Sequence, residues 1–209
     1  MDLRIALMGT PDFAVPSLKR VAENFTIAGV VSQPDRPSGR GRKLLPTPIK
    51  ETAQALGLEI FQPRDVNAPS SLQVIQDWQV HLIIVVAFGQ ILKPTLLDLP
   101  VGGCLNVHAS LLPRWRGASP INAAILAGDS HSGVTIMKMG PGLDDGPILA
   151  QESVPIGPRE TAGHLSDRLA VLGADLLLQT IPPYMQGELE LQPQDPNLAT
   201  YAGTLKKKS

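Results

Sequence analysis

The chain has 209 residues, 43% hydrophobic, with 18 Lys and Arg against 19 Asp and Glu for a net charge of −1. A chain this apolar can bury a core, which excludes disorder as the main description, and its neutral balance gives no overall attraction to nucleic acid or a membrane. One cysteine, Cys104, excludes an internal disulfide; with no apolar run near the roughly 20 residues of a membrane span and no signal peptide, the expected setting is soluble, reducing and cytoplasmic.

In chain order, residues 4–8 read as a short apolar strand ending at Gly9, and Thr10-Pro11-Asp12 opens a helix to about residue 23. Residues 26–32 are a second strand, and Thr47-Pro48 caps and starts a helix that ends before Gly57. Residues 59–61 are a third strand, 70–77 a helix, and 81–86 a strand too apolar to have a wet face. Strands at 104–108, 134–139 and 148–154 follow, with helices at 120–126 and 161–180. Strand–helix alternation with central strands apolar on both faces predicts a doubly wound α/β domain over residues 1–186. Its sheet is expected to be mostly parallel with an added antiparallel edge, and ligands then lie beyond the carboxyl ends of the strands. The 20 prolines and 19 glycines cluster between the apolar runs, so long shaped loops are expected to carry binding. No internal repeat is present, and residues 187–209, polar, proline-broken and finally basic at Lys206-Lys207-Lys208, read as a linker.

Several chemistries drop out. Gly9-Thr10-Pro11-Asp12-Phe13 has one glycine where a dinucleotide fingerprint needs three, so NAD is not expected. His81, His108, His131 and His164 stand well apart with no paired cysteines, so no metal site is expected. Cys104 sits inside an apolar strand and reads as a buried, inert thiol.

Asn106-Val107-His108 ends a strand, and a period of two puts Asn106 and His108 on one face. An amide donor beside an imidazole suits a carbonyl that becomes an oxyanion; the same pair can equally cap a strand end and satisfy loop backbone. The next segment, 109–120, packs two prolines, a tryptophan and two arginines into a loop that opens a helix. Farther on, Gly142-Leu143-Asp144-Asp145-Gly146 is a sharp turn offering two carboxylates. A carboxylate meeting His108 in space would orient it and hold its tautomer.

Together, Asn-Val-His at 106–108, Ser-Leu-Leu-Pro-Arg-Trp-Arg-Gly-Ala at 110–118, Gly-Val-Thr-Ile-Met at 133–137 and Gly-Leu-Asp-Asp-Gly at 142–146 resemble the folate-dependent formyltransferase family. The glycine turn at 9–13 and the basic loop at 33–43 resemble the branch of that family that formylates methionyl-tRNA. The resemblance implies a Rossmann-like formyltransferase fold, 10-formyltetrahydrofolate as co-substrate, and Asn106, His108 and Asp144 in the catalytic positions. Asp145 stands where the family commonly has a neutral residue and is read as a bystander. The folate would be held near Phe88, Gly89, Ile91, Leu92, Ser110, Leu111, Leu112, Pro113 and Gly140. Arg36, Arg40, Arg42 and Lys43, with only Asp35 opposing them, would meet the phosphates of the initiator tRNA in a loop expected to be mobile without it. The family continues into a smaller β-barrel domain that helps hold tRNA, and this chain is expected to be the catalytic domain without it, acting as a monomer. An amino-sugar nucleotide as acceptor, or a folate- or tRNA-binding module without turnover, are the competing readings.

Overall fold

The computed structural model describes residues 2–38 and 43–204. The chain divides into two compact units, Met1–Leu105 and Asn106–Ser209. The first holds β1 (Arg4–Gly9), α1 (Val15–Asn24), β2 (Thr26–Val31), β3 (Arg36–Ser38), β4 (Lys43–Leu45), α2 (Pro48–Ala55), β5 (Ile60–Phe61), α3 (Pro69–Asp77), β6 (Leu82–Val86) and α4 (Pro94–Leu97). β7 (Cys104–His108) carries the chain into the second unit, which continues with α5 (Pro120–Ala127), β8 (His131–Lys138), β9 (Ile148–Pro155) and α6 (Ala162–Met185). The expected α/β class is present: seven strands in a mostly parallel sheet, with β3 and β4 in a separate two-stranded one.

In the first unit the strands run β5-β2-β1-β6, each parallel to its neighbour. Every residue of β6 is buried, and β1 is buried from Ile5 onward, which is why neither strand alternates. Thr47 caps α2 as expected, its hydroxyl oxygen accepting from the Lys50 N–H at 3.2 Å with Pro48 in the first turn. The same hydroxyl shares a buried 2.7 Å hydrogen bond with that of Ser32, tying the end of β2 to the start of α2.

Gly29, inside β2, has a specific cause. The pairing of β1 with β2 slips between Ile5 and Ala6, which oppose Ile27 and Gly29, so Ala28 is an extra residue on the β2 side. At the same place the Trp78 indole lies against the backbone, and a Cβ on Gly29 would stand 2.4 Å from it. Trp78 is fixed on its other sides by an edge-on contact with Phe61, centroids 6.3 Å apart, and by donating Nε1–H to Glu59 Oε1 at 3.2 Å.

The described ends of the basic segment form a two-stranded ribbon. Arg36, Pro37 and Ser38 pair antiparallel with Leu45, Leu44 and Lys43. A proline is tolerated in such a two-stranded ribbon because one side of each strand needs no ladder donor.

In the second unit β8 and β9 are antiparallel, from His131 opposite Pro155 to Met137 opposite Ile148. β8 is buried along most of its length whereas β9 is largely exposed, as an edge strand should be. α6 lies close to this sheet at Gly173, where a Cβ would stand 2.7 Å from Val107 Cγ1. α6 also runs past the expected end through Pro182 and Pro183. Their carbonyls still accept, from Gln186 N at 3.1 Å and Glu188 N at 2.9 Å, and Gly187 at φ +73° stops the helix instead. Among the described residues no helix is long and apolar enough to cross a membrane.

Candidate active site

The three residues singled out by the sequence come together in the second unit. Asn106 and His108 stand on the last turn of pleat in β7, at 9% and 6% exposure, and Asp144 approaches from the turn between β8 and β9. Asn106 Nδ2 lies 3.4 Å from Asp144 Oδ1, and the Gly117 N–H donates to Asp144 Oδ2 at 2.8 Å. His108 Nδ1 lies 3.8 Å from the same Oδ2, near the carboxylate but not bonded to it. Asp145 is exposed and makes none of these contacts.

The tautomer of His108 follows from its other nitrogen. Nε2 is 2.9 Å from the backbone carbonyl of Trp115, and a carbonyl only accepts, so Nε2 carries the proton. In the neutral ring Nδ1 is then the basic atom. Here the carbonyl, not the carboxylate, selects the tautomer; Asp144 lies beside the nitrogen that would become charged.

Three residues around these contacts hold left-handed backbone: Trp115 at φ +63°, Gly117 at φ +108° and Asp144 at φ +48°. Only Gly117 does so without steric cost, and a side chain there would also meet the Ala202 carbonyl, 2.8 Å from its Cβ. The strain at Trp115 and Asp144 is what aims the Trp115 carbonyl at His108 and the Asp144 carboxylate at Asn106.

The loop between β7 and α5 is held from β8 and β9. Ser110 donates its hydroxyl to the Arg114 carbonyl at 2.6 Å, and Thr135 donates to the Ser110 carbonyl at 2.7 Å while accepting from Leu112 N at 3.1 Å. Gln151 donates to both the Leu112 carbonyl and Thr135 Oγ1 at 2.8 Å. Leu112 also belongs to a small core with Met137 and Ile148. Thr135 and Gln151 had no signal in the sequence: they act from a strand face set only by the β8–β9 register.

Asp129 anchors the same loop from its far end. It takes two hydrogen bonds from the Arg114 guanidinium, at 2.6 and 2.9 Å, and one from Trp115 Nε1 at 2.8 Å. Hydrogen bonding by Arg114, and then by Trp115, holds its carboxyl below the usual carboxylate range. A carboxyl depressed on folding contributes stability above its unfolded value and loses it as pH falls through the folded one. Relative to Asp129→Asn, the parent is therefore expected to be more stable by on the order of 1 kcal/mol at neutral pH, allowing for solvent screening at the half-exposed Arg114. That margin should shrink as pH drops below about 3.9. Urea unfolding of both proteins across pH 7 to 3 checks this; parallel curves would show that the ion pair contributes nothing.

The remaining sequence candidates are distributed as follows. In the first unit, Phe88 and Gly89 line a cavity of about 540 Å³ with Thr10, Gln33, Thr47 and Pro48, and among the described residues the buried Nε2 of Gln33 has no hydrogen-bond partner. Leu92 is core at 4% exposure, whereas Ile91 is 83% exposed. Their loop is pinned by Gln90, which accepts from Val66 N at 2.8 Å and donates to the Pro63 carbonyl at 3.2 Å. In the second unit Gly140 is partly buried near the Asp144 turn, and Leu111 and Pro113 are partly buried in the β7–α5 loop. Arg36 is exposed and Lys43 begins β4; Arg40 and Arg42 lie outside the described residues. Asp35, the one acid of that run, is engaged by Lys50 and by Gln62, whose hydrogen bonds hold its carboxyl below the usual range. Among the described residues no group of three or more His, Cys, Asp and Glu could hold a metal ion.

A doubly wound sheet whose β7 ends in Asn106 and His108, facing a carboxylate on a glycine turn, defines a class. The chain belongs to the formyl transferase family, whose domain matches residues 3–181. It is 52% identical over 205 residues to the methionyl-tRNA formyltransferase of Moorella thermoacetica and 50% identical over 206 to that of Halorhodospira halophila, spanning 98% of this chain. In each case it spans 66% of the relative's length. Among solved structures, a glycinamide ribonucleotide transformylase from Symbiobacterium toebii superimposes with a TM-score of 0.74 at 19% identity, covering 92% of this chain and 94% of that one. A sugar 3N-formyl transferase crystallised in the presence of dTDP and 5-N-formyl-THF gives 0.71 at 20% identity, covering 97% and 70%. At these identities the two structures speak to the fold alone.

Proposed function

We propose that this chain carries the catalytic site that transfers a formyl group from 10-formyltetrahydrofolate to the α-amine of methionine on initiator tRNA. The observation that carries the reading is the convergence of Asn106 and His108 on Asp144, with His108 Nε2 committed to a carbonyl and Nδ1 left basic. The names of the close relatives support the acceptor.

The donor set fits a formyl group. When bound, the folate supplies a formyl carbon on a nitrogen leaving group. The Asn106 amide has a second N–H to give to the formyl oxygen as negative charge gathers there. His108 Nδ1 can take the proton of the attacking amine and return it to the departing nitrogen. The Asp144 carboxylate stabilises the imidazolium in between and stays oriented by the Gly117 N–H. A methionyl α-amine has an ordinary pKa of about 7.7–8.0, so part of it is neutral at physiological pH and needs no strong base to become nucleophilic. The folate-holding role proposed for Phe88, Gly89, Ile91, Leu92, Ser110, Leu111, Leu112, Pro113 and Gly140 rests on family resemblance. The exposed Ile91 offers an apolar face to a ring, whereas Leu92 and the Ser110 hydroxyl are occupied inside the protein.

For the tRNA, the proposal places Arg36, Arg40, Arg42 and Lys43 against backbone phosphates. With Asp35 paired to Lys50, no acid within the run offsets them. Arg42→Ala is expected to lower the tRNA-dependent rate severalfold to about tenfold and to flatten its salt dependence by about one unit of slope. Folate affinity should be unchanged; a folate titration and tRNA-dependent rates on the same variant read both effects, and the reverse pattern overturns the assignment.

The deciding experiment is formyl transfer from 10-formyltetrahydrofolate with methionyl-tRNA, free methionine, water and an amino-sugar nucleotide as acceptors. Transfer to methionyl-tRNA supports the proposal. Activity on the sugar or on water alone would replace the acceptor while keeping the formyl site.

A further inference from the structure

The formyl transferase match ends at residue 181, yet the chain afterwards folds back onto the site. Gln192 exchanges two backbone hydrogen bonds with Ile148, at 2.8 and 2.9 Å. Thr200 accepts from the Arg116 N–H through its carbonyl at 2.8 Å and from the Trp115 N–H through Oγ1 at 2.9 Å. Ala202 donates to the Arg116 carbonyl at 2.7 Å. Between these two attachments stands Gln194. Its Oε1 accepts from Nε and Nη2 of Arg116, at 3.1 and 2.9 Å, while its Nε2 donates to the carbonyls of Asp144 at 2.9 Å and Gly146 at 2.7 Å.

We propose that Gln194 is a positioning residue for formyl transfer, locking the Asp144 turn to the loop that supplies the partners of both His108 and Asp144. The proposal rests on the function proposed above. Arg116, 5% exposed, lies between the residue whose carbonyl holds His108 and the residue whose N–H holds Asp144. Asp144 is in left-handed backbone, so its peptide keeps that orientation only if its surroundings fix it, and Gln194 grips its carbonyl directly.

The residue type carries the argument further. A buried guanidinium is ordinarily met by a carboxylate. Here it meets a neutral amide, which uses two donors and two lone pairs at once. A carboxylate would satisfy Arg116 equally well but would face the Asp144 and Gly146 carbonyls with no proton to give. The amide is therefore suited to joining the two loops rather than to neutralising Arg116.

The test compares the parent chain with Gln194→Glu, Gln194→Leu and, as control, Asn197→Ala, whose side chain donates to Oδ1 of the nearby Asp195. Both Gln194 variants are expected to lower kcat ten- to a hundredfold with the folate KM within about twofold, the pattern of lost alignment rather than lost binding. The ¹⁵N resonances of the His108 ring, which report the protonated nitrogen, should move from a fixed Nε2–H form to a mixture, and Asn197→Ala should change neither readout. Gln194→Glu, nearly isosteric, decides the matter where Gln194→Leu fails to fold. Unchanged kcat together with an unchanged His108 ring signal in Gln194→Glu overturns the proposal. A parent chain that transfers nothing to methionyl-tRNA overturns the acceptor reading instead, and the ring signal still decides the role of Gln194.

Discussion

Replacing Asn106 with alanine is expected to lower turnover on the order of a hundredfold or more, about 3 kcal/mol of lost oxyanion stabilisation. The size follows from the absence of a substitute among the three central side chains. His108 has its only neutral-state N–H on the Trp115 carbonyl, and the Asp144 carboxylate can only accept. The Asn106 amide is thus the one side-chain donor of the three that remains for a developing negative charge. Because the interaction strengthens as charge develops, the loss belongs in kcat, and folate affinity should change by no more than about threefold. Steady-state kinetics with a folate titration on Asn106→Ala measure both, and weakened folate binding at unchanged turnover would remove Asn106 from this role.

A second large effect concerns stability and belongs to the first unit. Gly29→Ala should destabilise the protein by about 2–3 kcal/mol, since three Trp78 ring atoms stand within 2.5 Å of the new methyl. A flexible chain end could swing aside. The indole cannot do so cheaply, because it is 7% exposed, set against Phe61 and hydrogen-bonded to Glu59. The stiffer unfolded chain of the alanine variant offsets this by less than about 1 kcal/mol. For a chain of this size the net loss corresponds to a melting temperature lower by roughly 4–10 °C. Scanning calorimetry checks it, and the double variant Gly29→Ala/Trp78→Leu should recover part of the loss. A Gly29→Ala protein as stable as the parent would show that the Trp78 site yields.

Much of this was legible in the sequence where a local rule decides. The apolar runs at β1 and β6, the Thr47-Pro48 cap and the period-two pairing of Asn106 with His108 depend on residues a few positions apart, and each stands where expected. Asp144 came from family resemblance, and only the turn between β8 and β9 brings it to His108. α6 runs past the expected end near residue 180, because a proline removes a donor but not an acceptor and the helix continues across Pro182 and Pro183. The partners that fix the site were invisible for a different reason. The Trp115 carbonyl and the Gly117 N–H are backbone groups that any residue carries, and their direction is set by φ values that the side chains do not announce. Residues 192–202 read as linker because they are polar and proline-rich, while their attachment is made by hydrogen bonds to loops about 50 to 85 positions earlier.

That long return has a consequence for how the protein is made. A chain emerging N-terminus first presents His108 and the loop through Gly117 well before Thr200 exists, since 83 residues separate Gly117 from Thr200. At about 5–20 residues per second, the site loop waits roughly 4–17 seconds for the segment that fastens it. The strands can therefore emerge and pair while the loop beside His108 still lacks the hydrogen bonds that Thr200 and Ala202 make to it, so the setting of that loop is fixed later than the sheet it stands on.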